Sequence, residues 1–421
     1  MSAAARGVLF VVSVVLVGCS QTPRSETPQD VGIERITPTR SPGLDALDDI
    51  IGQGIDDGLY PGAVCVVGYV DPVTRDHAVH YAQAFGDTTY DADERGSRAV
   101  ALDTLYDLAS VTKLVGTTSA ALITLADGRL ALDEPVASYL PGFARQGKDA
   151  VTVRHLMTHT SGLPAYETPA NVERNRAAEE TPSDALLAYY AALRPLAGPG
   201  ERYTYSCLNF QTLARIVEDA SQQPLEELLR ERLFAPLGMR DTTWRPTPEQ
   251  RQRTAPTYRD AQGVAVAGTV HDPLARYHQS APHCPGNAGL YSTAPDLARW
   301  CALILRRGHA NNQQLLAPAL LAQATAVQTN AADVGEERGL GFDVYESAHY
   351  VSEHNAADGH RLVGHSGYTG TLVLIDQHTG VYLVLLTNRT FPADVGDTDQ
   401  SPSINAVRRA CWQAVRGCGQ E

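Results

Sequence analysis

The chain has 421 residues, is 43% hydrophobic and carries a formal net charge of -14. That length and apolar content suit a large folded core. The charge, with no basic segment to outweigh it, argues against a nucleic-acid partner and makes an anionic membrane a poor partner for the folded body.

At the N-terminus, Arg6 precedes the apolar run Val8–Val17 and then Gly18-Cys19-Ser20. A basic flank, a short apolar core and a small residue before the cut are the parts of a secretory signal, assigned to residues 1–18. The run is too short for a membrane span. Leu16-Val-Gly-Cys19 is similar to a bacterial lipobox, which implies lipidation of Cys19 and anchoring in the cell envelope; ordinary secretion, with Cys19 incidental, is the alternative. Residues 19–42, rich in Pro, Thr, Ser and charge, read as a flexible tether, and 43–421 as the folded domain. Six further cysteines are too few for a disulfide scaffold, although Cys411 and Cys418 are close enough for a local bridge.

Leu44, Leu47, Ile51 and Ile55 recur at helical spacing and predict a helix over 43–58. Residues 63–70 and 77–85 read as strands separated by Asp71-Pro72. A helix is expected from Val111 to Leu125, stopped by Asp127-Gly128. Further helices are predicted at about 184–193, 208–220, 224–233, 294–307 and 315–323, punctuated by Gly and Pro. Strand character returns at 341–345, 361–365, 371–375 and 382–387, before a last helix at about 403–415. Strands at both ends with helices between imply an α/β fold of the α+β type. One antiparallel sheet is flanked by helices and carries a large, mainly helical insertion at about 115–330.

Ser110 stands three residues before Lys113 at the start of the 111–125 helix. Residues three apart on a helix share a face, so an amine there can reach the hydroxyl. The helix N-terminus favours the anion formed as serine loses its proton. Partial burial is expected to lower the lysine pKa and leave some neutral amine as base. Lys113 and Lys148 are the chain's two lysines, every other strong base being arginine, which cannot act as a neutral base. Ser-x-x-Lys alone is weak, and a capping serine beside a surface lysine is its bland reading. Tyr205 lies in a turn entering a helix, either relaying a proton at the rim of a site or packing beside Phe210. Gly364-His-Ser-Gly-Tyr-Thr-Gly-Thr371 puts small residues at a strand edge, suited to close approach of an extended ligand or to a tight turn without chemistry.

Taken in order, Ser110-Val-Thr-Lys113, Tyr205-Ser-Cys207 and His365-Ser-Gly367 resemble the motifs of the serine β-lactamase and penicillin-recognising family, specifically class C β-lactamases, DD-peptidases and related esterases. Leu130–Val136, Val153–Leu163, Gly289–Leu297 and Leu386-Thr-Asn-Arg389 support it, over roughly residues 45–415. The resemblance implies that Ser110 forms an acyl-enzyme while Lys113 and Tyr205 move protons. It also implies an oxyanion hole from the N–H groups of Ser110 and Tyr368, with Cys207, His365, Ser366 and Gly367 holding substrate.

Two departures bear on substrate. Cys207 replaces the family's asparagine, and a thiol is a poorer donor with no carbonyl acceptor. A bridge from Cys207 to Cys284 is a second candidate pairing. His365 stands where lysine is commoner and is mostly neutral near pH 7, so it offers a substrate carboxylate a hydrogen bond in place of a full charge. His155 and His159, four apart, suggest a shared helical face but lack the glutamate of the zinc-peptidase motif, so no metal and no cofactor is expected. The leading expectation is an envelope DD-peptidase or β-lactamase-like amidase acting on a small or peptidoglycan-like acyl substrate. A small-ester esterase is the enzymatic alternative, and a catalytically silent envelope binding protein the other.

Overall fold

Apolar runs from the two ends of the chain meet in one six-stranded sheet in the computed structural model, which describes residues 43–94, 96–279, 283–345, 362–392 and 403–416. Cys19, the tether and Cys418 lie outside the described residues, and with them the lipidation and the Cys411–Cys418 bridge. Helix α1 (Ala46–Asp56) leads into β1 (Gly62–Val70) and β2 (His77–Gly86). The later strands are β3 (Asp343–Tyr345), β4 (Leu362–Ser366), β5 (Leu372–Asp376) and β6 (Val381–Thr387). Their order is β2-β1-β6-β5-β4-β3, antiparallel throughout. The first and last segments are therefore central neighbours, with Val64 opposite Leu386 and Val66 opposite Val384.

Strand side chains alternate between faces, and here both faces are covered, so the strands read as nearly continuous apolar runs. Val64, Val66, Tyr382, Val384 and Leu386 point into the core shared with the helical region. Ala63, Cys65, Val67, Leu383 and Leu385 point the other way, against α1 and the C-terminal helix Ile404–Val415. Burying both faces removes on the order of 1.5–3 kcal/mol worth of exposed surface for each large apolar side chain, relative to leaving it in water.

Between the two halves of the sheet the chain is mainly helical. The segment after Ser110 begins as a π-helix over Lys113–Thr118 and continues as an α-helix over Ser119–Ala126, where one regular helix was expected. Helices at Cys207–Ser221 and Ala294–Leu305 lie close to their expected bounds. The region also holds two-residue strand pairs, among them Tyr106–Asp107 with Tyr291–Ser292. The fold is the expected α/β architecture with a central antiparallel sheet, flanking helices and a large helical insertion. Among the described residues no helix is long and apolar enough to cross a membrane.

Candidate active site

Ser110 is set by the turn that precedes it. Ala109 adopts a left-handed φ of 48°, a conformation L side chains rarely take, and its N–H donates to the Asp107 carboxylate at 2.9 Å. The turn between β4 and β5, residues 367–371, lies against this segment. Thr369 Oγ1 donates to the Asp107 carbonyl (2.7 Å) and Thr371 Oγ1 to the Leu108 carbonyl (2.9 Å). Gly367 makes this approach possible, since a Cβ there would lie 2.5 Å from the Leu108 carbonyl and 2.0 Å from Thr371 Oγ1. Arg408, buried on the C-terminal helix, donates to the carbonyls of Gly367 (2.6 Å) and Thr371 (2.8 Å) and holds the same segment from behind.

Lys113 is fully buried and lies 3.0 Å from Ser110 Oγ. Its amine also donates to the Asn287 carbonyl at 2.9 Å and faces Cys207 Sγ at 3.7 Å. These three contacts accommodate an ammonium. When one proton leaves, the lone pair can fall toward Ser110 while two N–H bonds keep Asn287 and Cys207. Burial pushes the Lys113 pKa down, but Cys207 and Tyr205 beside it push it up, and the balance lies above the ordinary lysine value. The expectation of a lowered pKa is thereby corrected, because the acidic neighbours outweigh desolvation. Burial is likewise the main cause that holds the Cys207 thiol above its ordinary value, opposed by the Lys113 charge.

Tyr205 presents its ring 4.9 Å from the Lys113 amine. Behind it, His159 packs at 4.6 Å between ring centroids, and His159 Nδ1 accepts the backbone N–H of Ser206 at 3.1 Å. His159 does not share a helical face with His155. The helix stops at Met157, and His159 takes a left-handed φ of 59°, which turns its ring inward beneath Tyr205.

Ser110, Tyr205, His365, Ser366, Gly367 and Tyr368 line one cavity of about 370 Å³. The structure thus gathers the three sequence motifs at one place. Cys207 is not among the residues lining that cavity; it is partly exposed, and its sulfur lies 3.7 Å from the Lys113 amine. Nor is it bridged to Cys284. Both are free thiols, and Cys284 Sγ faces Arg245 Nη1 at 3.4 Å. His365 Nδ1 donates to the Ser366 carbonyl at 2.7 Å, and burial, with Arg338 and Lys113 nearby, holds its pKa well below the usual histidine value.

Several supporting residues had no signature in the sequence. Asp107 and His271 pair across 164 positions, and Asn287 contributes only a carbonyl to Lys113. Arg408 reaches the site from a helix whose amphipathic pattern explains only its packing. Asp107, three residues before the Ser110-x-x-Lys113 motif, was the one available hint.

Known proteins share this fold. A family model described as Beta-lactamase matches residues 47–402. An N-acetylmuramyl-L-alanine amidase of Bacillus subtilis (strain 168) is 28% identical over 386 residues, covering 86% of this chain and 84% of the relative. A provisionally named D-alanyl-D-alanine carboxypeptidase of Escherichia coli (strain K12) is 27% identical over 384 residues, covering 86% and 85%. Among solved structures, a penicillin-binding protein homologue from Caulobacter crescentus superposes with a TM-score of 0.66 at 24% identity, over 90% of this chain and 99% of that one. EstCE1, a hydrolase with promiscuous acyltransferase activity, gives 0.67 at 23%, over 89% and 98%. With its family match spanning most of the folded region and its fold shared with penicillin-binding homologues, the chain belongs to the β-lactamase family.

Proposed function

We propose that the protein is a serine hydrolase that works through an acyl-enzyme, and that its substrates are D-alanyl-type amides of the cell envelope. The observation that supports this most is the 3.0 Å contact between Ser110 Oγ and Lys113 Nζ at the wall of a cavity that Tyr205 also lines. In this reading Lys113 accepts the Ser110 proton as Oγ adds to the acyl carbonyl. The oxyanion is met by the N–H groups of Ser110 and Tyr368, each contributing roughly 10²–10³ in rate. The proton returns from Lys113 by way of Tyr205 to the leaving amine as the C–N bond breaks and the acyl group stays on Ser110. Water, deprotonated by the same pair, then adds to the acyl carbonyl, and Ser110 Oγ leaves with that proton as the acid is released. The amidase and carboxypeptidase names of the relatives agree with an envelope peptide substrate. A signal at 1–18 with Cys19 as anchor would put the enzyme there; loss of lipid labelling in Cys19→Ala tests that part.

A second reading, a small-ester esterase, is favoured by Cys207, which lacks the amide that would contact an acylamino group, and by the fold shared with EstCE1. Intact-protein mass spectrometry separates the readings. Incubation with N-acylated D-alanyl peptides, benzylpenicillin and p-nitrophenyl esters should give an acyl adduct on Ser110, absent in Ser110→Ala. Turnover of the peptides supports the first reading, and turnover of esters alone the second. No adduct and no product from any of them overturns both and leaves a silent binding protein.

A further inference from the structure

Two buried groups on the wall of the cavity have hydrogen-bonding capacity left over, and their polarities are opposite. His365 is 3% exposed, and the Ser366 carbonyl can only accept, so the proton must sit on Nδ1. Nε2 is then a bare lone pair, buried with no hydrogen-bond partner among the described residues. Arg338, 4% exposed, lies over the Tyr203 ring at 5.8 Å and leaves Nε and Nη2 buried without hydrogen-bond partners among the described residues. Both side chains line the 370 Å³ cavity beside Ser110 and Tyr205. One wall of the site therefore offers an acceptor and a donor together.

Arginines and carboxylates both lie nearby, with Lys113 beyond Ser110. Arg338 is ion-paired with Asp343, which stands opposite Gly364 on the neighbouring strand, and Glu336 and Glu337 line the same cavity. Arg389 donates to the Tyr368 carbonyl, and Arg408 to the carbonyls of Gly367 and Thr371. A carboxylate placed here would suit Arg338, but its oxygens would meet the His365 lone pair with no proton between them. A neutral amide has the matching polarity, with a C=O for Arg338 and an N–H for His365.

Resting on the acyl-enzyme reading above, we infer that the site reads an uncharged amide on the leaving-group side of the scissile bond, its carbonyl on Arg338 and its N–H on His365 Nε2. The preferred substrates are then peptides that continue past the cleaved bond or end in a carboxamide, and those ending in a free carboxylate are disfavoured. This departs from the expectation that His365 orients a substrate carboxylate.

The test compares an N-acylated D-alanyl-D-alanine with its C-terminal carboxamide on the full chain. The carboxamide should have the higher kcat/KM by roughly 10- to 100-fold, the effect of leaving one buried polar group facing the wrong partner. Equal rates, or a preference for the carboxylate, overturn the inference. His365→Lys, which supplies a charged donor, should move the ratio toward the carboxylate by at least about tenfold. If neither compound is hydrolysed, the D-alanyl amide reading fails, and calorimetric binding of the pair to Ser110→Ala still reads the preference. Tighter binding of the carboxamide supports the inference, and equal binding or none overturns it. Nitrogen-15 NMR of the imidazole gives a check independent of any substrate: a proton on Nδ1 and none on Nε2 is expected, and the reverse overturns the inference.

Discussion

Asp107 and His271 meet through one carboxylate oxygen, which accepts the His271 backbone N–H at 2.7 Å and faces its ring Nδ1 at 3.0 Å. The other oxygen takes the N–H of Ala109, next to Ser110. The His271 ring stacks on Tyr368, with 5.8 Å between centroids and 16° between planes, and Arg389 covers Tyr368 at 4.8 Å. One buried carboxylate thus ties the turn that carries Ser110 to the residue proposed as its oxyanion partner.

Asp107→Asn is expected to loosen that link. An amide keeps one acceptor oxygen and turns an NH2 toward an N–H donor, which costs about 1–3 kcal/mol of stability. Misplacing the proposed oxyanion donors should lower kcat by about 10²-fold, with a smaller change in KM. Steady-state kinetics and thermal melts check this. An unchanged kcat in a destabilised variant would make the pair purely structural.

The direction of the Lys113 shift sets the pH dependence. Its pKa lies above the ordinary lysine value, so the amine is protonated at neutral pH and its basic form grows as pH rises. For acylation with Lys113 as base, kcat/KM should climb by about one log unit per pH unit through neutral into mildly alkaline conditions. A plateau reached below pH 7 would remove Lys113 from the role of base. Lys113→Met should lower kcat/KM by roughly 10²–10⁴.

Tyr205→Phe separates chemistry from packing. Phenylalanine keeps the ring that rests on His159 and loses only the hydroxyl. A proton-relay role predicts a fall in kcat of about 10²–10⁴ with an unchanged melting temperature. A packing role predicts full activity.

The fold was legible wherever a pattern was long. Val64–Val67 and Leu383–Leu386 are continuous apolar runs because both sheet faces are covered, and their predicted bounds lie within a residue or two of the observed ones. The strand pair Tyr106–Asp107 with Tyr291–Ser292 was not legible, since two residues carry no periodicity and the pairing is made by tertiary approach. In the site, the motifs identify Ser110, Lys113, Tyr205 and His365 as residues but say nothing of proton positions. The His365 tautomer depends on where the Ser366 carbonyl points, and the raised Lys113 pKa on Cys207 and Tyr205 lying beside one amine. Asp107 and His271 are far apart in sequence, and no spacing rule joins them.

Cys207 gives the last prediction, on the choice between amides and esters. Its sulfur lies 3.7 Å from the Lys113 amine, and burial keeps the thiol from ionising near neutral pH, so iodoacetamide should label it slowly at pH 7. Rapid labelling with loss of activity would point to a reactive cysteine instead. Cys207→Asn supplies an amide oxygen that can accept from Lys113 and an NH2 that can meet a substrate acylamino carbonyl. That variant should raise kcat/KM for acylamino substrates by about tenfold and leave short esters unchanged. Equal changes for both classes would mean that position 207 acts through Lys113 alone, and that Cys207 does not choose the acyl group.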